Sequence, residues 1–230
     1  MKVYEIKVKL YILRDIQINE IQNEICKIID TYLCKDSKWE EFHNKNEFKN
    51  YCFDSMYPLA ENKFYKKGNI YTLTIRTIDK DLADYFNHNL SNEYSDTIKC
   101  LTSEIRILPK KFIEKIYSLT PVILKTENGY WKGNLTLKEF ENRLKVNLIK
   151  KYNAINSTKI NEDFDLYNSI EFKNNKPCSI NYKGIKLLGD KVSLNISDDS
   201  ISQEIAYMSL GTGLLEFNSR GAGFLNYRWL

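Results

Sequence analysis

The residues best suited to acid–base chemistry lie in one short segment, residues 39–49. His43 is one of only two histidines, and lysines follow it at positions 45 and 49. An imidazole exchanges protons near neutral pH, and a nearby ammonium group can stabilise developing negative charge. We therefore predict a polar loop in which His43 transfers protons, although a loop histidine alone is also compatible with an inert surface role. His88, among asparagines late in a helical stretch, is expected to be exposed.

A second candidate site is the glycine-rich run near the C-terminus, GTGLLEFNSRGAG. It contains four of the nine glycines: Gly211, Gly213, Gly221 and Gly223. Glycine permits positive φ and close approach of the backbone, and successive N–H groups in such a loop can bind phosphate. We predict that the run lies against a phosphate-bearing ligand, with Arg220 adding positive charge. The alternative is that these glycines only turn the chain into a final strand over residues 224–229.

Several classes of enzyme are disfavoured by the sequence. It contains no P-loop, H-E-x-x-H, nucleophile-elbow or EF-hand pattern, and its five cysteines are scattered without a C-x-x-C pair. The acidic pairs Glu40–Glu41 and Asp198–Asp199 are adjacent, so on regular structure their side chains diverge rather than share a metal. We therefore predict no metal site, no cofactor and no disulfide framework.

Composition places the chain among ordinary globular proteins, with 43% hydrophobic and 28% charged residues. The net charge of +4 is compatible with nucleic-acid binding, but the lysine pairs 66–67, 110–111 and 150–151 are interpreted as solvated surface. No apolar run approaches the ~20 residues that span a bilayer, and the N-terminus has no signal-peptide core. We expect a cytoplasmic protein without a membrane anchor.

Apolar patterning predicts the same order of elements twice. Alternate residues from Tyr4 to Ile12 are apolar, which is typical of a half-buried strand, and an amphipathic helix follows through Tyr32. The remaining predicted strands are 48–56, 70–77, 97–108, 121–124, 163–172, 182–196 and 223–229, and the remaining helices are 81–90, 136–152 and 200–210. This β-α-β-β-α-β order is the ferredoxin-like unit. We predict an α+β fold of two such RRM-like domains in tandem.

The predicted division lies at residue 112. Residues 1–112 form the N-terminal domain with the candidate catalytic loop, and residues 113–230 form the C-terminal domain with the glycine-rich loop. The connection is expected near Lys110–Leu119, where a proline and two lysines interrupt the apolar pattern. Two units of about 110 residues suit the usual size of a domain.

Duplicated ferredoxin-like halves, the G-x-G…R-G-x-G run and an early histidine together resemble the Cas6 family of CRISPR-associated endoribonucleases, within the RAMP superfamily. The resemblance covers the whole chain. Its most specific parts are Gly211–Gly223, Leu119–Leu124, which resembles the strand that opens the family's second domain, and His43 ahead of Lys49. The family loop usually has an aromatic residue where Ala222 stands, a departure that leaves the glycines intact.

The resemblance implies metal-independent cleavage of CRISPR repeat RNA in a precursor transcript, giving mature crRNAs. The ribose 2′-OH would attack the adjacent phosphate and leave a 2′,3′-cyclic phosphate and a 5′-OH. His43 would transfer protons, Lys49 or Lys45 would stabilise the transition state, and Tyr32 is a further catalytic candidate, although it falls on the apolar stripe of its helix. The implied RNA-binding residues are Gly211, Gly213, Arg220, Gly221, Gly223 and Lys45.

The implied partners are CRISPR repeat RNA, as pre-crRNA, and subunits of a Cascade-type interference complex, with the protein a monomer or homodimer. Two alternatives stay open. A non-catalytic RAMP subunit that binds crRNA as a scaffold would share the glycine loop but need no histidine. A ferredoxin-like protein-interaction module would not bind RNA at all.

Overall fold

The computed structural model describes residues 1–60, 62–182 and 184–230, which form a mixed α+β fold. The elements of the first half are β1 (Tyr4–Ile12), β2 (Ile16–Gln17), α1 (Ile21–Leu33), α2 (Ser37–Asn44), β3 (Tyr51–Phe53), β4 (Phe64–Tyr65), β5 (Ile70–Thr77), α3 (Lys80–Asn89) and β6 (Ile98–Ile107). Those of the second half are β7 (Ile113–Ser118), α4 (Leu137–Asn156), β8 (Tyr167–Phe172), β9 (Cys178–Tyr182), β10 (Ile185–Gly189), β11 (Val192–Ile196), α5 (Ser200–Thr212) and β12 (Leu225–Trp229). No helix in the described ranges is long and apolar enough to span a bilayer.

The first half forms a four-stranded antiparallel sheet in the order β3-β5-β1-β6. Its central strand β1 has the predicted alternation, since Ile6, Val8, Leu10 and Ile12 are at most 1% exposed. Apolar side chains of α1 and α3 pack with these residues in one core. The face of α1 that carries Ile25 and Ile29 is therefore fixed against the sheet.

The second half repeats this topology, with strand order β12-β7-β11-β8. Helix α4 begins with a capping box, in which the hydroxyl of Thr136 accepts from the N–H of Glu139 and the Glu139 carboxylate accepts from the N–H of Thr136. Asp199 caps α5 in a similar way by accepting from two N–H groups. Both sheets have the ferredoxin-like order 4-1-3-2 when strands are numbered within each half, so the predicted tandem fold is confirmed.

The strand that opens the second half differs from the prediction. It is β7, and residues 121–124 contribute only isolated bridges, Val122 with Asp190 and Ile123 with Glu216. The apolar pattern of β7 is irregular, because Ile113 and Ile116 are both buried and the pairing with β12 shifts register at Trp229. A bulge of this kind breaks the period of two from which strands are recognised. The division at residue 112 stays a prediction.

Two further elements depart from the prediction. The sequence left open a break at Gly189 in the strand expected over 182–196, and the structure has two strands there, β10, which ends at Gly189, and β11. The departure is that β10 pairs with β9 in a small sheet of its own. In the first half, α2 occupies part of the segment predicted as a loop around His43. Both departures concern segments near the candidate site.

Candidate active site

The two segments singled out in the sequence border one cleft. Residues 46–50 line one side, and residues 212 and 215–219 line the other, together with Lys151 of α4. The cavity between them measures about 510 Å³. We refer to residues 36–50 as the histidine segment and to residues 211–223 as the glycine run. The fold brings them together from opposite ends of the chain.

His43 lies in the last turn of α2, where a loop was expected. The Asp36 carboxylate caps this helix by accepting from the N–H groups of Lys38 and Trp39, at 2.9 and 3.3 Å. The helix has eight residues, and of these only Trp39 is buried, so no apolar periodicity marks it in the sequence. The His43 side chain is 18% exposed, and its Nδ1 is 3.6 Å from Oδ1 of Asp30.

Asp30 connects α1 to the glycine run through Arg220. Nη1 of Arg220 donates to both carboxylate oxygens of Asp30 at 2.6 Å, and the guanidinium lies 5.3 Å from the centroid of the Tyr182 ring. Burial disfavours the charged arginine, but the hydrogen bonds and charge of Asp30 outweigh it and hold the pKa of Arg220 above its usual range. Arg220 is thus engaged within the protein, and its contact with RNA stays a prediction.

Lys49 lines the cleft and also caps α2. Its Nζ donates to the carbonyl oxygens of Phe42 and Lys45, which belong to the C-terminal end of that helix. Burial is the main cause that lowers the pKa of Lys49; Glu47 acts in the opposite direction, and Arg220 and Lys45 add to the lowering. Lys45 is exposed and pairs with Glu41 at 2.8 Å. The catalytic role of Lys49 and the RNA contact of Lys45 stay predictions.

Tyr32 packs in the core of the first half. It is 2% exposed, its hydroxyl donates to the carbonyl oxygen of Tyr85 at 2.8 Å, and its ring stacks on that of Tyr85 with centroids 4.4 Å apart. The apolar stripe of α1 favoured this outcome at the level of the sequence. We therefore correct the assignment and drop Tyr32 from the candidate catalytic set.

Lys151 is a member of the cleft that the sequence analysis missed. The interpretation of the 150–151 pair as solvated surface fits Lys150 but is wrong for Lys151, which is 3% exposed. Its Nζ donates to Oδ1 of Asn218 at 2.7 Å and to the carbonyl oxygens of Gly213 and Leu215 at 3.0 Å. Burial lowers the pKa of Lys151 to about 7.

Asn218 completes this arrangement from within the glycine run. Its Nδ2 donates to the carbonyl oxygens of Leu214 and Ala222, at 3.0 and 3.1 Å, while its Oδ1 accepts from Lys151. One amide side chain therefore bonds to both ends of the run. Hydrogen bonds from the side chains of Lys151 and Asn218 therefore help to fix the backbone of the glycine run, in addition to the conformational freedom of its glycines.

The glycines themselves are buried, which corrects the picture of an open phosphate loop. The N–H groups of Gly213, Gly221 and Gly223 already donate to carbonyl oxygens within the chain. Gly211 lies in the last turn of α5, where an added Cβ would come within 2.8 Å of the Ile78 side chain. The alternative from the sequence, that these glycines shape the chain, thus has direct structural support. Contact between the run and RNA stays a prediction.

Gly223 illustrates why glycine is needed here. Its φ is +63°, and a Cβ at this position would lie 2.2 Å from the backbone oxygen of Leu214. Backbone on both sides is fixed, because the Leu214 N–H donates to the Gly223 carbonyl oxygen at 2.9 Å. No side chain at position 223 fits between these two backbone segments of the loop.

Other reactive groups in the described residues show no sign of forming a site. No three His, Cys, Asp or Glu side chains in those ranges are placed to hold a metal ion together. Burial raises the pKa of the Cys26 thiol to about 11 and that of Cys52 to about 12, so both remain protonated near neutral pH.

Of the three site residues that were not predicted, only Lys151 has a sequence position that indicates burial. Lys151 follows Leu148 by three positions and Leu144 by seven, a spacing that places it beside the apolar stripe of α4. A lysine at such a position is a sign of burial. Asp30 and Asn218 carry no comparable signal, because their contacts come from distant segments.

Comparison of the sequence with known proteins found a family match and a curated relative. Residues 106–227 match the family model described as CRISPR associated protein Cas6, C-terminal. A curated relative, CRISPR-associated endoribonuclease Cas6 2 of Methanocaldococcus jannaschii, is 26% identical over 130 residues, which cover 53% of each protein. The matched region therefore spans about half the length of this relative.

Solved structures are similar over nearly the whole chain. A structure titled "An RAMP protein binding different RNA substrates" has a TM-score of 0.73 and 18% identity, covering 98% of this chain and 99% of that one. A CRISPR associated protein Cas6 has a TM-score of 0.72 with the same identity and coverage. A Cas6 product complex has a TM-score of 0.64 at 16% identity, covering 99% and 100%. At these identities the likeness concerns the fold.

Proposed function

Since the chain belongs to the Cas6 family of CRISPR-associated proteins, we propose that it is an endoribonuclease that cleaves CRISPR repeat RNA in precursor transcripts to release mature crRNAs. The observation that carries this proposal is the cleft between the histidine segment and the glycine run. A partly exposed imidazole lies one residue before the end of α2, and the cleft wall begins two residues after that end. Matching the family model supports the same assignment.

We assign proton transfer to His43. The ribose 2′-oxygen attacks the adjacent phosphorus, the bond from phosphorus to the 5′-oxygen breaks, and the products carry a 2′,3′-cyclic phosphate and a 5′-OH. The 2′-OH must lose its proton, and the departing 5′-oxygen must gain one. An imidazole suits either task near neutral pH. The chemistry is proposed to need no metal ion.

Positive charge for the phosphorane is assigned to Lys49, with Lys45 as the second choice. Lys49 lines the cleft, and its ammonium would exchange a helix carbonyl for a phosphate oxygen when RNA binds. Lys45 would have to give up its ion pair with Glu41. That pair is exposed, so breaking it costs little free energy. The glycine run supplies a fixed wall, and Arg220 sits at its edge.

The contacts of Lys49 also favour a second candidate, a RAMP subunit that binds crRNA without cutting it. The ammonium of Lys49 is occupied at the end of α2, and the hydroxyl of Tyr32 is buried, so His43 acts with little help in this conformation. A scaffold would use the same cleft for binding alone. Either protein would work on RNA in the cytoplasm, as a monomer or homodimer, alone or with Cascade-type subunits.

Incubation of the protein with repeat RNA in EDTA separates these functions. Under the proposal, wild-type protein cuts within the repeat, leaves cyclic-phosphate ends, and fails on RNA with a 2′-deoxy substitution at the scissile nucleotide. His43→Ala is expected to bind as wild type does but to cut roughly 10²–10⁴-fold more slowly, the usual contribution of acid–base catalysis. His88→Ala is the matched control and should cut normally, because His88 is exposed and its Nδ1 contacts the Asp84 carbonyl oxygen.

Three outcomes decide the matter. Binding without cutting by wild-type protein would establish the scaffold. A wild-type rate in His43→Ala would remove His43 from the mechanism. Neither binding nor cutting would leave a protein-interaction module.

A further inference from the structure

The Asp30 carboxylate contacts a residue on each side of the candidate site. Arg220 of the glycine run donates to both of its oxygens, and Nδ1 of His43 is 3.6 Å from Oδ1. Asp30 takes no part in the reaction as proposed above. A carboxylate shared in this way can do more than neutralise an arginine.

The position of the carboxylate is fixed from both sides. Asp30 follows Ile29, which is 1% exposed in the core, so the backbone of α1 cannot move away from the sheet without opening that core. On the other side, Arg220 is itself held by its packing on Tyr182 and is only 15% exposed. The oxygen that faces His43 therefore has little freedom to move.

A carboxylate at this place selects one form of the histidine. It accepts hydrogen bonds, so it favours the neutral tautomer with the proton on Nδ1 and leaves the lone pair on Nε2 for the substrate. The 3.6 Å separation is longer than a hydrogen bond, but catalytic hydrogen bonds are often long before the substrate binds.

We propose that Asp30 is a positioning residue for His43: it holds the Nδ1–H tautomer and directs Nε2 toward the RNA, while Arg220 fixes the carboxylate. This inference rests on the proposed function for its catalytic consequence. It also links the two walls of the cleft, because a shift of the glycine run that moves Arg220 also moves the acceptor of His43.

The competing explanation is that Asp30 only anchors Arg220. The chain offers a direct way to distinguish the two, because it has only two histidines. Long-range ¹H–¹⁵N correlation spectra of the free protein at alkaline pH report which ring nitrogen carries the proton. In the wild type, we expect His43 to carry its proton on Nδ1. In Asp30→Asn the proton should shift toward Nε2, because an amide can also donate a hydrogen bond to an unprotonated Nδ1. His88→Ala assigns the signals.

Asp84→Asn is the matched control. Asp84 forms an exposed pair with Lys80 and contacts His88 only through its backbone oxygen, so both histidine signals should stay unchanged. Circular dichroism of Asp30→Asn establishes that the fold is retained. The wild-type tautomer needs no variant, so the proposal remains testable if Asp30→Asn fails to fold.

The kinetic test measures single-turnover cleavage at saturating protein, so that changes in affinity do not enter the rate. Asp30→Asn is expected to lower the rate roughly 10- to 100-fold, the cost of a misplaced catalytic group. An Nε2–H tautomer in the wild type, or an unchanged rate in folded Asp30→Asn, would overturn the proposal. If wild-type protein does not cut RNA, the proposed function fails, while the spectra still decide whether Asp30 orients His43.

Discussion

The two walls of the cleft are built in opposite ways. The histidine segment carries polar side chains at the end of the short helix α2, where His43 lies, and in the residues that follow it, where Lys45 lies and Lys49 lines the cleft. Within α2 itself only Trp39 is buried. The glycine run presents backbone: its glycines are buried, and carbonyl oxygens of Gly213 and Leu215 face inward to Lys151. One wall offers groups that can exchange protons or carry charge, and the other offers a fixed shape.

This contrast predicts different consequences of mutation on the two sides. Replacement of an exposed side chain in the histidine segment should change the rate of cleavage and leave stability almost unaffected. Replacement in or beneath the glycine run should change stability first, and RNA affinity through it.

The largest effect is expected at Gly223. A Cβ there would meet the Leu214 backbone oxygen at 2.2 Å in a left-handed conformation, so strain adds to overlap. We expect Gly223→Ala to lower the free energy of unfolding by about 2–5 kcal/mol, combining about 1–2 kcal/mol of backbone strain with 1–3 kcal/mol of overpacking. Urea denaturation measures the difference.

Gly133→Ala separates the two causes. Gly133 also has a positive φ, +89°, but a Cβ there would have no other atom within 4 Å. Its replacement should therefore cost only the backbone strain, and RNA affinity should stay at the wild-type value. Equal losses in the two variants would show that the glycine run is no more tightly packed than an exposed turn, which would weaken the comparison.

A smaller loss is expected on removal of the lysine beneath the run. Lys151→Met keeps much of the stem but leaves the Asn218 Oδ1 and two carbonyl oxygens without their donor. Each buried group left unsatisfied costs on the order of 1–3 kcal/mol, partly offset by the relief of burying an ammonium, so we expect a net loss of about 2–3 kcal/mol. Thermal and urea unfolding provide the measurement.

The neighbouring lysine provides the control. Lys150 is exposed on the same helix, and Lys150→Met should change stability by less than about 0.5 kcal/mol. A stabilised Lys151→Met would mean that the cost of burying the ammonium exceeds the value of its hydrogen bonds. The run would then keep its shape without the lysine.

The same contrast explains how much could be inferred from the sequence. The tandem ferredoxin-like fold was predictable because β1, α3 and α4 each have clear periodicity and because the order of elements repeats. The strand β7 was not, since its bulge removes the alternation on which the inference depends. Helix α2 is held by an Asp36 cap and one tryptophan, too little pattern to recognise.

The residues of the candidate site also differ in how far the sequence could reveal them. His43 and the glycine run could be found from residue type, because histidine and glycine have few chemical or conformational substitutes. The helical spacing of Lys151 indicates its burial but not its partners, and Asn218 and Asp30 depend entirely on contacts between segments far apart in the chain, such as Arg220 with Asp30. No local pattern encodes those contacts, and the run's inward-facing carbonyl oxygens became visible only in the folded chain.

Per pH unit, the smallest expected effect is a pH dependence of stability that belongs to Lys151. Burial lowers its pKa from an ordinary 10.5 to about 7, so between these values the unfolded chain binds one more proton than the folded one. Stability must then rise with pH above about 7, by up to about 1.4 kcal/mol per pH unit, and be independent of this group below that. The difference in unfolding free energy between wild type and Lys151→Met, measured from pH 7.5 to 9.5, about 0.5 to 2.5 units above the lowered pKa, isolates this slope. Asp54, whose pKa burial raises to about 6, titrates below the window and is common to both proteins. A flat difference would mean that Asn218 and the carbonyl oxygens keep the ammonium charged at its ordinary pKa, so that the glycine run is held by a permanent cation.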